Sequence, residues 1–410
     1  MNIWIVADAD FPEGRGGTPR IRHIALGLKS RGHTVRVLLP HAAGFVSPGQ
    51  NLSPLGEVGG VRFEFLNGSV VRPPRDRLLV TAKLLGNLKL LVRFLAGPRP
   101  DVVLIYNYSL LDTGLLIAAS KLLGTMVLYD VCDERFDLHA VDHPTSFARR
   151  VNAVHYRISD AITLRVTDGV LVVSDYLLAK VMARNPRTRY VELPLVADMD
   201  QACADRPVVN GGDAPQFAYV GSLIADEGIE MLVEALRILR VRYPGARCHL
   251  YGDFNAEVYK LKVTRLLEEK RAHDVLVFHG NTPSDRLVGE IASKYAMVLP
   301  RPNSVISRAG FPGKLSEYLA SRRPVVTTRF GDIERHFADG QTAFMSTDTN
   351  AEAFAAALDA AVRDPILAAQ VGERGYQLGL TLFDRRHVAR RLEEFVEALL
   401  EPAMKGPRTS

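Results

Sequence analysis

At 410 residues, with 47% apolar and 24% charged side chains, the chain exceeds what one hydrophobic core serves and is too apolar for a disordered segment. Cys132, Cys203 and Cys248 are odd in number and form no Cys-x-x-Cys pair, which argues against a disulfide framework or a structural zinc site and suits a reducing compartment, the cytoplasm. The net charge of +5 arises in the first half, where residues 1–200 carry 24 Lys and Arg against 19 Asp and Glu, while residues 201–410 carry 27 of each.

The opening Met1–Asp8 has no basic leader, and no run reaches 18 uninterrupted apolar residues, so neither a standard secretion signal nor a spanning helix is expected. Short β-branched runs then alternate with helical stretches, the pattern of parallel βαβ units. In the first half the expected strands are Ile3–Ala7, Val35–Leu39, Val102–Tyr106, Met126–Tyr129 and Val170–Val173. Helices are expected over Ile21–Ser30, Leu78–Leu95, Leu110–Leu123 and Asp175–Met182. Their near-continuous apolar strands suit a sheet covered on both faces.

A polar stretch with Pro207, Gly211, Gly212 and Pro215 interrupts the alternation, and a linker is expected over 201–215. The pattern then restarts. Strands are expected over Phe217–Val220, Cys248–Tyr251, Val275–Phe278, Ala296–Leu299 and Val325–Thr328, and helices over Ile229–Tyr243, Ala256–Lys270, Lys314–Ala320 and Ala351–Val362. The fold class is α/β: two doubly wound domains, 1–200 and 216–384, facing across a cleft that would hold the active site. A last helix near Arg386–Leu400 carries an apolar stripe of Val388, Leu392, Phe395, Val396 and Leu399 that needs a surface to cover; residues 385–410 are expected to pack back toward the first domain.

The stretch from Val298 to Thr328 is the most informative. A buried strand ends at Pro300, a polar loop with Arg301 and Arg308 follows, a helix begins near Gly313, and Pro324 opens the next strand. Helix N-termini present unpaired amides to anions, and Gly310 and Gly313 let backbone approach a ligand. Lys314 and Glu317 are three residues apart, on one helix face, where a lysine would neutralise a diphosphate and a carboxylate would accept hydrogen bonds from a ribose-like diol. The plainer alternative is a surface ion pair worth about 0.3–0.5 kcal/mol.

Phe311-Pro312-Gly313-Lys314-Leu315-Ser316-Glu317-Tyr318-Leu319-Ala320, continued by Arg323-Pro324-Val325-Val326, resembles the donor-site helix of glycosyltransferase family 4, a group of GT-B enzymes. A subgroup with an RPxS…GFPxKLxEYLA pattern is the nearest in form. Tyr219–Ser222, Leu250–Asp253, Phe278–Gly280 and Gly331–Glu334 follow the family's order, so the resemblance covers about residues 215–400. In the first half it rests on Gly16-Gly17, Arg31–Val35 and Thr167–Ser174. The resemblance implies a retaining transferase, of the hexosyl class, that moves sugar from a nucleoside diphosphate-sugar to a hydroxyl acceptor, a glycan or lipid-linked glycan. Glu317 would hold the donor ribose, Lys314 its phosphates, and Gly16 and Gly17 its sugar-phosphate. Gly221, Ser222, Arg301, Arg308, Phe311, Pro312, Gly313 and Leu315 complete the expected donor set.

Three positions depart from the family. Ala309 stands where most members have a glutamate, and Ser222 and Glu227 replace the Arg and Lys of the usual diphosphate clamp. Arg301, Arg308 and Lys314 are expected to supply the missing charge from the opposite loop. In the first half, Tyr129-Asp130-Val131-Cys132-Asp133 follows a buried strand, and Asp130 and Asp133 are candidates to orient the acceptor hydroxyl or take its proton, unless the segment is simply a solvated turn. His139 and His143 lie near Asp137 and Asp142, but loop histidines are the safer reading than a metal site. No metal or cofactor is expected.

Residues 72–99 carry seven basic side chains against the single Asp76. They are either a packed helix with solvated lysines or a peripheral contact with an anionic membrane, at its inner face. Nucleic acid is not an expected partner. A sugar-nucleotide epimerase and a non-catalytic nucleotide-sugar-binding protein remain open as alternatives on the same architecture.

Overall fold

The computed structural model describes residues 1–14, 16–42, 53–71, 76–106, 110–133, 147–201, 214–282 and 284–401. The chain forms two compact units, one of Met1–Val196 with Arg385–Ser410, the other of Ala197–Asp384. His139 and His143 lie outside the described residues, as do 202–213.

The first unit runs β1 (Asn2–Ala7), α1 (Thr18–Ser30), β2 (Thr34–Leu39), β3 (Leu55–Val58), β4 (Val61–Phe65), α2 (Asp76–Ala96) and β5 (Val102–Tyr106). It continues through α3 (Leu110–Leu122), β6 (Met126–Val131), α4 (Phe147–Val166), β7 (Gly169–Val172), α5 (Asp175–Arg184) and β8 (Tyr190–Glu192). The sheet order is β3-β4-β2-β1-β5-β6-β7-β8, parallel throughout except for the β3–β4 hairpin. Period-two alternation sends Ile3, Ile5 and Ala7 to one face, beside Ile21, Ile24 and Leu28 of α1. Trp4 and Val6 go to the other, beside Leu90 and Phe94 of α2 and Leu116 and Ile117 of α3. Both faces of the strand are therefore apolar, as the sequence pattern requires.

The second unit runs β9 (Gln216–Val220), a 3₁₀ turn (Ala225–Glu227), α6 (Ile229–Leu239), β10 (Arg247–Tyr251), α7 (Glu257–Glu269), β11 (Leu276–Gly280) and α8 (Ser284–Ala292). Then come β12 (Ala296–Leu299), α9 (Val305–Ala309), α10 (Leu315–Ala320), β13 (Val325–Thr327), α11 (Ile333–His336), β14 (Phe344–Met345), α12 (Ala351–Arg363) and α13 (Pro365–Leu378). The order β11-β10-β9-β12-β13-β14 is all parallel. Succession reverses beside β9, whose neighbours are β10 and β12, and in the first unit beside β1, whose neighbours are β2 and β5. Ligands of doubly wound sheets bind beyond the carboxyl ends of strands at such switch points.

The final helix, α14 (Arg385–Leu400), belongs to the first unit, where it buries Val388, Ala389, Leu392 and Val396 in the core shared with α1. Two segments differ from the sequence expectation near the motif. The loop carrying Arg308 is a short helix, α9, because Ser304 caps it by accepting from the Ser307 amide at 3.1 Å. The motif helix starts at Leu315 and runs only six residues, with Lys314 as its N-cap.

Candidate active site

In the second unit, the ends of β9 and β12 and the start of α10 converge. Tyr318, fully buried on α10, ties them together: its hydroxyl accepts from the Val220 amide at 2.9 Å and donates to the Val298 carbonyl at 3.1 Å. The motif's tyrosine thus fixes the helix at the switch point, a positioning role that its place in the sequence does not reveal.

Lys314 then points back toward β9. Its Nζ donates to the Tyr219 hydroxyl at 2.7 Å and to Glu227 Oε2 at 2.6 Å, and it lies 4.2 Å from the Tyr219 ring centroid. The Tyr219 hydroxyl in turn donates to the Ser222 carbonyl at 3.0 Å, which assigns Ser222 a backbone role here. Gly221, just past β9, lies against the same ammonium, since a Cβ there would stand 3.0 Å from Lys314 Nζ. Arg301, just past β12, donates through Nη2 to the other oxygen of Glu227 at 2.7 Å. Two cations from separate loops therefore share one buried carboxylate.

Burial would raise the Glu227 carboxyl, yet Lys314 and Arg301 outweigh it and hold the group at about 2. Burial lowers the Lys314 ammonium to about 8, with Glu227 the main opposing influence. Glu317 is half-buried on α10, accepts from the Ser316 hydroxyl at 2.6 Å, and is raised by burial more than its hydrogen bonds and the Lys314 charge lower it. A carboxylate of this kind, half-buried and close to the Lys314 ammonium, suits a ligand with hydroxyls near an anion.

The other expected donor residues take varied places. Phe311 packs its ring against His336 and Phe383, centroids 5.4 and 5.8 Å away, and so anchors the segment before α10. Pro312 and Leu315 are buried, whereas Gly313 is exposed and a Cβ there would meet nothing within 4 Å. Arg308 is exposed near the end of α9 and is not among the cations on Glu227, and Ala309 is buried beside it.

The first unit has its own cluster at the carboxyl ends of β1, β5 and β6. Asp130 is buried and grips Arg20 with both oxygens, Nε to Oδ2 at 2.8 Å and Nη2 to Oδ1 at 3.0 Å, while Arg20 Nη1 donates to the Leu193 carbonyl at 2.8 Å. The Cys132 thiol donates to Asp130 Oδ1 at 3.1 Å, and burial raises it well above its ordinary range. Burial works against the Arg20 charge, but Asp130 and its neighbours more than restore it. Asp133, by contrast, is exposed. Gly17 caps α1, and a Cβ there would fall 1.8 Å from the Tyr106 hydroxyl at the end of β5, so only glycine lets the turn close over that side chain. Gly16, at φ +63°, faces open space.

Two consecutive family models match the chain: "Glycosyl transferase 4-like domain" over residues 15–195 and "Glycosyl transferases group 1" over residues 204–378. A GDP-mannose-dependent alpha-(1-6)-phosphatidylinositol monomannoside mannosyltransferase of Mycolicibacterium smegmatis is 25% identical over 244 residues, 57% of this chain and 63% of its own length. Sucrose-phosphate synthase from Thermosynechococcus elongatus superposes with a TM-score of 0.71 at 16% identity, covering 97% of this chain and 98% of its own. Anabaena HepE, solved with UDP and glucose, superposes with a TM-score of 0.69 at 14% identity, covering 97% of this chain and 100% of its own. Both halves, in order and on the same pair of parallel sheets, place the chain among the GT4-like glycosyltransferases of the GT-B fold.

Proposed function

We propose that the chain transfers a sugar from a nucleoside diphosphate-sugar to a hydroxyl acceptor with retention of configuration. The observation that carries this reading is the pairing of Lys314 and Arg301 at the β9–β12 switch point, with Glu317 one turn along α10. HepE, which shares the fold, is solved with UDP and glucose, and this supports a nucleoside diphosphate-sugar as the donor class. Lys314 and Arg301 stabilise the negative charge that develops as the anomeric C–O bond breaks and its electron pair passes to the diphosphate. Glu317 accepts hydrogen bonds from the ribose diol and fixes the nucleoside. The acceptor oxygen attacks from the face that the leaving group vacates. Asp130 spends both oxygens on Arg20 and so acts as a positioning residue, which leaves exposed Asp133 as the carboxylate suited to orient the acceptor.

The acceptor we infer is lipid-linked. α3 lies between α2 and α4 on one face of the first unit, and the three helices expose Leu84, Leu88 and Val92, Leu115 and Leu122, and Val154 and Ile158. An apolar face of this extent with Lys83 and Lys89 on α2 suits an anionic membrane surface, and the mannosyltransferase relative is named for a phosphatidylinositol acceptor. No helix among the described residues is long and apolar enough to cross a membrane.

A thermal-shift screen with UDP-, GDP-, ADP- and dTDP-sugars tests the donor reading. One base is expected to stabilise the protein, with the shift abolished in Glu317→Ala and turnover requiring an added acceptor. No shift with any nucleotide would sink the reading. Conversion of a sugar nucleotide without acceptor would favour the epimerase alternative.

A further inference from the structure

We propose that Glu227 is the positioning residue of the donor phosphate subsite: it gathers Lys314 and Arg301 into one cationic pair and serves as their counter-ion until a diphosphate supplants it. The inference rests on the donor reading above.

Glu227 ends a 3₁₀ turn that is pressed against β12. The next residue, Gly228, has φ +73°, and a Cβ there would lie 1.7 Å from the Pro300 carbonyl, so the turn sits directly on the strand exit from which Arg301 departs. From that place the carboxylate, 5% exposed, reaches Arg301 through Oε1 at 2.7 Å and Lys314 through Oε2 at 2.6 Å. Each oxygen is committed to a different cation. The cluster keeps a net charge of +1, because one carboxylate faces two cations. One of its donors is also unspent: Arg301 Nε is buried with no hydrogen-bond partner among the described residues. A buried donor left unmade is costly, and a phosphate oxygen would satisfy it.

The arrangement has a consequence for protonation. The charged and titratable groups around Lys314 are Tyr219 from β9, Glu227 from the turn, Arg301 from the β12 exit and Glu317 from its own helix. Burial and Arg301 disfavour its charge, whereas Glu227 and Glu317 favour it. With Glu227 neutralised, the ammonium loses its main support and releases its proton at lower pH. An incoming diphosphate restores that support, so the anion and Glu227 do the same work in turn.

The test is isothermal titration of UDP, GDP, ADP and dTDP into wild type and Glu227→Gln between pH 6 and 8. The ratio of the two dissociation constants at each pH cancels the titration of the nucleotide itself. We expect this ratio to rise at least fivefold from pH 6 to pH 8, as Lys314 loses its proton in the variant before it does in the wild type. A ratio constant with pH assigns Glu227 a merely structural role and overturns the proposal. If Glu227→Gln does not fold, Lys314→Arg serves: its charge cannot be titrated away, so the affinity loss of the wild type above pH 8 should vanish. Persistence of that loss overturns the proposal equally. Should the wild type bind none of the four nucleotides, the donor reading itself falls, a result distinct from binding with parallel profiles.

Discussion

Glu227 also leaves a mark on stability that is separate from ligand binding. Its carboxyl lies near 4.5 when the chain is unfolded and is held at about 2 when folded. A depressed carboxylate contributes stability that is fully present above pH 4.5 and is lost as pH falls toward 2, because the unfolded state takes up the proton first. The shift corresponds to about 3 kcal/mol at about 1.4 kcal/mol per unit. Urea denaturation of wild type and Glu227→Gln should therefore show a stability gap that narrows by about that amount as the pH falls from 5 toward 2. A gap that does not change with pH would mean that the two cations do not hold the carboxylate down. Removing one member of a buried ion cluster strands the others, so the gap at neutral pH is expected to be substantial, roughly 3–5 kcal/mol.

At the scale of elements, most of the fold was legible. Strands such as Val102–Tyr106 and Ala296–Leu299 are buried on both faces, and that makes them continuous apolar runs with sharp ends. The β3–β4 hairpin escaped because its strands are short and half-exposed, although Gly59-Gly60 between them is a turn signal. α4 escaped for a related reason: charged and apolar residues are interspersed along Phe147–Val166 and give no solid run. The segment Phe311–Ala320 was legible as a loop leading into a helix, but the charge cluster it joins was not. Arg301 and Lys314 lie 74 and 87 residues from Glu227, and the meeting of β9 with β12 brings them to it. The basic stretch 72–99 was legible as charge, whereas the apolar face that α2, α3 and α4 share needed the packing of three helices. That face gives a prediction. Leu84→Glu with Leu88→Glu should abolish co-sedimentation with vesicles containing anionic lipid and leave thermal stability within about 0.5 kcal/mol, as exposed positions do. Wild-type protein that ignores anionic vesicles, or a variant that still binds them, would remove α2 from the acceptor-side reading.

Taken whole, the molecule is asymmetric in how its chain builds the two units. The second is one continuous segment, Ala197–Asp384, with its own core around Phe217, Tyr219, Leu236 and Phe354. The first is assembled from both ends of the chain, because α14 returns to seal the face that α1 forms with β1 and β2. Val388, Leu392 and Val396 are each at most 3% exposed, and burying such side chains contributes roughly 1.5–3 kcal/mol apiece. Their sum approaches the whole stability of an ordinary domain, about 5–15 kcal/mol. Ending the chain at Asp384 should therefore cripple the first unit while sparing the second. Hydrogen exchange is the measurement that separates them: amides of α1 and β1 should lose protection in the truncated protein, and those of β9, β10 and β12 should keep it. Equal loss in both units would make them one cooperative structure. Full protection in both would mean that the α1 face stays closed without α14.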